Sequence, residues 1–420
     1  MLRLHRYRSI ASAISFSFAN QFVSSGTNFM LTIYLVRALS ADEFGRFSVG
    51  FAAVLFFGGI GNALFLTQMV VNTPDKAQDD RLAYAARVMF SVVIFCGVLL
   101  LSFSIIIVFS DEFGLDWVAQ KRAYLFACAI ASAAYLINNF FIRHAYIVRL
   151  EKRAFVMNVG VAVVIASLLG VSFLAKIELD AVLGLWIYAV GQIIAVQIGA
   201  KQANLPLRGV RLKHLFSDLS GSWQGGRWAL GGVIVTWLQS QAYLYVTVLF
   251  AGPAGAGQAN AARLSIMPFM FGVPAINQIL LPRLADMRVT KPKKMRQTIL
   301  VYTMILITLA AVYMLLLWSS RDWVIPLVFD LKYPNLEPLI AMWFLTLFAL
   351  LARTTASIML QAQKEFRSIM IRNSVSAAVT IVAAASLCYL YGIQGALAGA
   401  VIGETLLAIL LWRRLLRHGE

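Results

Sequence analysis

The sequence predicts an all-α integral membrane protein, with twelve transmembrane helices in two pseudo-symmetric six-helix lobes. Three observations carry this prediction. About a dozen apolar stretches of roughly 20 residues fill nearly all of the 420 positions, and a helix needs about 20 residues to cross a bilayer. Hydrophobic residues make up 60% of the chain and charged residues 13%, more apolar surface than a water-soluble domain of this size can hide. Basic residues crowd every second connection between the stretches, as the positive-inside rule requires of cytoplasmic loops.

The predicted spans are 12–37, 47–71, 84–109, 122–147, 154–175, 181–200, 227–250, 258–283, 297–317, 337–360, 369–390 and 394–413. The opening residues have a basic head, Arg3, Arg6 and Arg8, and run on into a long polar-studded helix. They read as a retained first span rather than a cleaved signal. Between spans one and two, Asp42 and Glu43 face Arg37 and Arg46. The next link holds Asp75, Asp79 and Asp80 against Lys76 and Arg81, and breaks the alternation. Acidic residues count little in the rule, so the orientation stands. Asp111, Glu112 and Asp116 follow span three; Arg149, Lys152 and Arg153 follow span four; Glu178 and Asp180 follow span five. The central link holds Lys201, Arg208, Arg211, Lys213 and Arg227 against Asp218, whereas 251–257 carries no charge. Arg283, Arg288, Lys291, Lys293, Lys294 and Arg296 follow span eight. Lys364, Arg367 and Arg372 follow span ten, and Arg413, Arg414 and Arg417 close the chain. Both termini are therefore expected in the cytoplasm. Trp117, Trp186, Trp228, Trp318, Trp323 and Trp412 fall near span ends, where indoles anchor in the membrane interface.

The net charge of +17 resides in short loops between spans, which argues against nucleic acid as a partner. Cys96, Cys128 and Cys388 stand singly in apolar runs, so the spacing supports no metal site and no disulfide framework. The domains expected are an N-terminal lobe, 1–200, a cytoplasmic linker, 201–226, and a C-terminal lobe, 227–420. Leu212, Leu215, Phe216 and Leu219 share one helical face in the linker, the pattern of an interfacial amphipathic helix.

The two lobes look like repeats. Gly45 and Gly257 are 212 residues apart, and so are Gly191-Gln192 and Gly403-Glu404. Val108-Phe109 matches Val328-Phe329 at a spacing of 220, which implies a short insertion. An even number of helices per half gives parallel repeats about an axis along the membrane normal, a transporter architecture.

Several segments resemble one family. LTIYLVRALSADEFGRFSVGFAAVLFF (31–57) is similar to the first turn and second helix of polysaccharide-biosynthesis flippases. VIPLVFDLKYPNLEPLIAMWFL (324–345) is similar to the start of their tenth helix. Residues 360–411, with the turn YGIQGA, are similar to their last two helices. The chain resembles the Wzx-type, or O-antigen, branch of the MOP (multidrug/oligosaccharidyl-lipid/polysaccharide) exporters, whose architecture is MATE-like. The resemblance implies a flippase, not an enzyme. Its substrate would be an undecaprenyl-pyrophosphate type of lipid-linked oligosaccharide. Alternating access would carry it from the cytoplasmic to the periplasmic leaflet of a bacterial inner membrane, for O-antigen or exopolysaccharide synthesis. It implies membrane lipids around the chain, a polysaccharide polymerase and chain-length proteins as neighbours in the pathway, and no cofactor beyond coupling to H+ or Na+.

Such a substrate has an anionic head that needs a hydrated, cationic cavity. Charges within spans are costly, about 2.5–3.5 kcal/mol on insertion scales, and usually face such cavities. Arg353, deep in span ten, is the strongest candidate, because guanidinium stays charged and binds phosphate bidentately. Arg143 lies toward the cytoplasmic end of span four, near the matching place in the other half; snorkelling to the interface is its alternative role. Arg263 and Arg46 lie near the outer starts of spans eight and two, to line the mouth or anchor the interface. Asn20, Gln21, Asn139 and Gln239 offer donors and acceptors to sugar hydroxyls, or join helices by hydrogen bonds. Asn138, Asn277 and Gln278 belong to the same polar set. Glu404, mid-span twelve, is either an ion-coupling carboxylate or the partner of a lobe arginine.

Three other readings compete. A cation-coupled multidrug antiporter of MATE type usually carries acids within its first lobe, and spans one to six show none well inside. A lipid II flippase usually has two more helices. A membrane polysaccharide polymerase or glycosyltransferase would use a carboxylate pair such as Asp42 and Glu43, but their link is too short to build an acceptor site. The chain shows no nucleophile triad, phosphate-binding glycine loop or metal-ligand spacing.

Overall fold

In the computed structural model, the described residues are 2–73, 76–78, 80–109, 121–206, 212–273, 280–281, 283–284, 287–288, 290, 292–329, 332–333 and 335–417. They form helices in the predicted order, with no strand among them. The first six are α1 (Leu2–Ala38), α2 (Ala41–Asn72), α3 (Asp80–Val108), α4 (Arg122–Ile147), α5 (Glu151–Leu174) and α6 (Ala181–Ala203). The run Leu212–Arg263 breaks at Gly252 (φ 71°) into α7 (212–251) and α8, which starts at 253 and continues through Leu264–Ile266 to Met270. After α9 (Pro292–Ser319) and a short helix, Arg321–Phe329, comes α10 (Leu336–Ala362). The run Phe366–Arg417 breaks at Gly392 (φ 60°) into α11 (366–391) and α12 (393–417).

Local chemistry explains the breaks. Gly252 and Gly392 hold a positive φ that side chains resist. Pro253 then opens α8, where its missing N–H is no loss. Asp180 caps α6 by accepting from the Leu183 amide at 2.7 Å, and Asn204 ends that helix in the left-handed region. Within α2, residues Asn62–Leu66 widen into a π-turn.

Nine helical runs among the described residues are long and apolar enough to cross a membrane. Two of these contain the breaks at Gly252 and Gly392 and so hold two spans each. The polar-studded α1 is not among the nine. Helix starts repeat with the spacing read from the sequence. Residues 41 and 253, 80 and 292, and 181 and 393 are each 212 apart. In the middle of the repeat the spacing widens: α4 and α10 end at Ile147 and Ala362, 215 apart.

The chain divides into two compact units, Met1–Thr32 with Gly50–Ile234, and Ile33–Val49 with Val235–Glu420. In the first, α4 packs against α3, α5 and α6. Its buried Ala127, Ala129, Ala131, Ala133 and Ala134 allow that close approach. Helix α3 instead presents Val93, Val98, Leu101 and Ile105 outward, as a lipid-facing helix does.

In the second unit α10 packs against the α11–α12 run and α9. Gly395, Gly399 and Gly403 let α12 cross α11 closely, since Cβ atoms there would meet Leu387, Ala384 and Thr380 within 2.3 Å. Residues 33–49 belong to this unit. The reason is packing: a Cβ on Gly45 would sit 1.7 Å from the Pro253 carbonyl oxygen, and one on Gly257 would sit 2.2 Å from that of Ala41. The Tyr333 hydroxyl also donates to the Val36 carbonyl. Helix begins at Leu212, inside the expected linker, and runs on into α7 without a break. The side chains of Leu212, Leu215, Phe216 and Leu219 lie outside the described residues, as do Asn277, Gln278 and most loop charges of 110–120 and 207–211.

Candidate functional site

The polar heart of the second unit lies where α7, α10, α11 and α12 meet. Arg353 on α10 reaches Glu404 on α12, Nε to Oε2 at 3.0 Å, with side-chain exposures of 20% and 7%. Neither atom has a well-aligned hydrogen bond. The Gln239 amide on α7 donates to Glu404 Oε1 at 3.5 Å and to Ser376 Oγ at 3.1 Å. Ser376 in turn donates to the Gly403 carbonyl. The small residues of the α11–α12 crossing thus bring a carboxylate, an amide and a hydroxyl to one point.

Arg353 also borders a cavity of about 300 Å³. Thr354, Ser357, Gln361, Asn373 and Thr236 supply its polar lining. Glu404 does not line it. Arg353 therefore borders both a partly polar cavity and a buried acid. Its remaining N–H groups suit an anionic oxygen entering from the cavity.

The first unit holds a neutral counterpart. The Asn138 amide on α4 donates to Gln192 Oε1 on α6 at 2.7 Å. Gln192 precedes Glu404 by 212 residues and Asn138 precedes Arg353 by 215, the spacings of their helices. Arg143, which the sequence placed near that match, is five residues further on and exposed. Asn138, Gln192, Tyr188, Asn139, Asn158 and Asn28 share a cavity of about 60 Å³. Asn138 Oδ1 and the Tyr188 hydroxyl face no protein partner there, and a cavity that size has room for a few waters.

The other predicted residues go elsewhere. Asn20 sits in a structural triad, accepting from Asn158 at 2.8 Å and donating to Tyr146 at 3.0 Å. Gln21 bonds Ser25 within α1. Asn139 donates to the Tyr135 carbonyl while lining the small cavity. Arg46 pairs with Asp42 at 2.7 Å and Glu43 at 3.1 Å, within the first turns of α2. Those acids are turn-end partners of Arg46, as salt-bridged i,i+3 and i,i+4 neighbours are. Arg263 donates to the Tyr243 hydroxyl at 3.3 Å and stacks on Trp343. Tyr243 bonds Asn260, whose amide reaches Ser48 at 2.9 Å. Sequence reasoning missed that Asn138 corresponds to Arg353 in the repeat, together with Tyr188, Ser376 and the small residues of α12. The 212-residue offset and the Gly395, Gly399, Gly403 spacing were the signals that could have found them.

Two kinds of solved structure share this shape. The lipid II flippase MurJ, in an inward closed conformation, superposes with a TM-score of 0.74 at 12% identity, over 96% of this chain and 87% of that one. This chain has the fold of MurJ and of the MATE transporters. A MATE multidrug resistance transporter of the MOP superfamily, inward-facing, gives 0.71 at 14% identity over 94% of both chains. A eukaryotic MATE transporter gives 0.64 at 14% identity, over 98% of this chain and 96% of that one. No protein-family model and no curated sequence matches the chain. The MATE-like, twelve-helix architecture expected from the sequence is the observed one, in a multi-pass membrane protein.

Proposed function

We propose that the chain is a flippase that moves a polyprenyl-pyrophosphate-linked oligosaccharide from the cytoplasmic to the periplasmic leaflet of a bacterial inner membrane. One observation carries the reading: Arg353, a guanidinium cation, borders a cavity inside the second unit that hydroxyl and amide side chains help to line. A pyrophosphate would take its N–H groups bidentately. The hydroxyl and amide side chains around it suit sugar hydroxyls, and the lipid tail would stay among the helices in hydrocarbon. The neutral cavity of the first unit would hold further hydroxyl groups. Alternating access between the two halves would complete the transfer, with both termini in the cytoplasm.

The test is deletion of the gene followed by lipid analysis. A lipid-linked glycan should accumulate in the inner leaflet, and the wild-type gene, but not Arg353→Ala, should clear it. An unchanged lipid pool would end the proposal. The fold serves a cation-coupled multidrug antiporter equally well, and Glu404 is the observation that favours it. A deletion strain sensitised to cationic drugs, with normal glycolipids, would decide for that reading.

A further inference from the structure

We propose that anion binding at Arg353 is coupled to proton uptake at Glu404: the ligand takes the guanidinium, and the carboxylate left behind takes a proton. The inference rests on the anionic-substrate reading above and adds a proton to it.

Three observations carry it. Arg353 has two neighbours of opposite kind, the polar cavity and Glu404, and Glu404 lies outside the cavity lining. An anion in the cavity therefore meets Arg353 rather than Glu404. Second, Glu404 is 5% exposed, and among the described residues its ion-pair partner is Arg353. Arg353 faces it from α10, Gln239 from α7, and Ser376, with Thr380 against neighbouring Gly403, from α11. Once Arg353 turns to another anion, no second cation among these groups can replace it. A buried carboxylate without a counter-charge is neutralised by protonation. Third, the first unit joins the matching helices with Asn138 and Gln192, uncharged, at 2.7 Å. The crossing can thus be held by amides, and packing alone does not account for charges in the second unit.

The step balances simply. One proton passes from solvent to a Glu404 carboxylate oxygen, no covalent bond of the ligand changes, and the loaded protein carries one negative charge fewer. Proton and anion then assist each other. Binding strengthens as pH falls, by up to about tenfold per unit where a full proton is taken up. An exchanger whose proton and substrate exclude each other shows the opposite sign.

Titration calorimetry of the purified full-length protein with farnesyl pyrophosphate, in two buffers of different ionisation heat, tests this. The wild type should take up about one proton more than Glu404→Gln, because the ligand's own protonation is common to both. Glu404→Gln should still bind. An infrared difference spectrum of the wild type, recorded on adding the ligand, should show a protonated carboxyl band, independently of whether the variant folds. Equal proton uptake in both proteins, absence of that band, or a pH dependence of binding no different from that of Glu404→Gln would overturn the proposal while leaving the anion site intact. No binding of farnesyl pyrophosphate at all would remove the anionic-substrate reading as well.

Discussion

Arg353 pairs with Glu404 at the place where the first half of the chain pairs Asn138 with Gln192. The same two helices of the repeat meet through charge in one unit and through amides in the other. That relationship yields a stability prediction. Arg353→Ala leaves a buried carboxylate alone and should cost about 3–5 kcal/mol. The double variant Arg353→Asn, Glu404→Gln copies the amide pair and should recover most of that loss. Thermal unfolding in detergent measures both, and equal melting of single and double variants would refute the equivalence. The double variant should remain inactive in glycolipid clearance, since it keeps the crossing but not the cation.

Gly45 and Gly257 pack backbone to backbone inside the second unit, with Cβ clearances below 2.5 Å against carbonyl oxygens. Backbone cannot yield as a side-chain tip can. Gly45→Ala and Gly257→Ala should each destabilise by about 1–3 kcal/mol. Gly26→Ala on α1 meets nothing within 4 Å and should be neutral or stabilising by about 0.5–1 kcal/mol, because alanine is the better helix former. A melting series that ranked Gly26→Ala with the other two would contradict this packing.

In the first unit, Asn138→Ala takes the donor from Gln192 and leaves that buried amide oxygen short of its partner. It should cost about 1–3 kcal/mol. Tyr188→Phe removes a hydroxyl that has no protein partner, and should change stability by less than about 1 kcal/mol. Denaturation midpoints of the two variants compare them directly; a larger loss for Tyr188→Phe would mean that its hydroxyl is bonded to ordered water in the cavity.

Orientation can be read with an impermeant maleimide. Cys96, Cys128 and Cys388 are buried, so they form a quiet background. Lys176 and Lys364 both lie on exposed turns. Lys176→Cys should label in intact spheroplasts and Lys364→Cys only after lysis. The reverse pattern would invert the topology drawn from loop charge.

Much of this was legible in advance because hydropathy and charge are local. Twenty apolar residues announce a span wherever they pack, and Glu43-Phe44-Gly45 with Gly191-Gln192 exposed the repeat before any helix was placed. Arg353 and Glu404 stood out for the same reason: charge inside hydrocarbon is rare. The breaks at Gly252 and Gly392 also fell where the predicted spans ended. Arg143 misled, because charge drew attention to it while the matching residue, Asn138, is neutral and five positions earlier. Asn20, read as a cavity donor or a link between helices, bonds Asn158 and Tyr146.

The sequence by itself determined how many times the chain crosses the membrane and that its halves are related, since both follow from composition along one dimension. Only the tertiary structure decided that Arg353 meets Glu404 and that residues 33–49 pack in the second unit. Those facts depend on where glycine and alanine let one helix approach another. Contacts between residues 51 or more positions apart are set by such crossings, which no local pattern encodes.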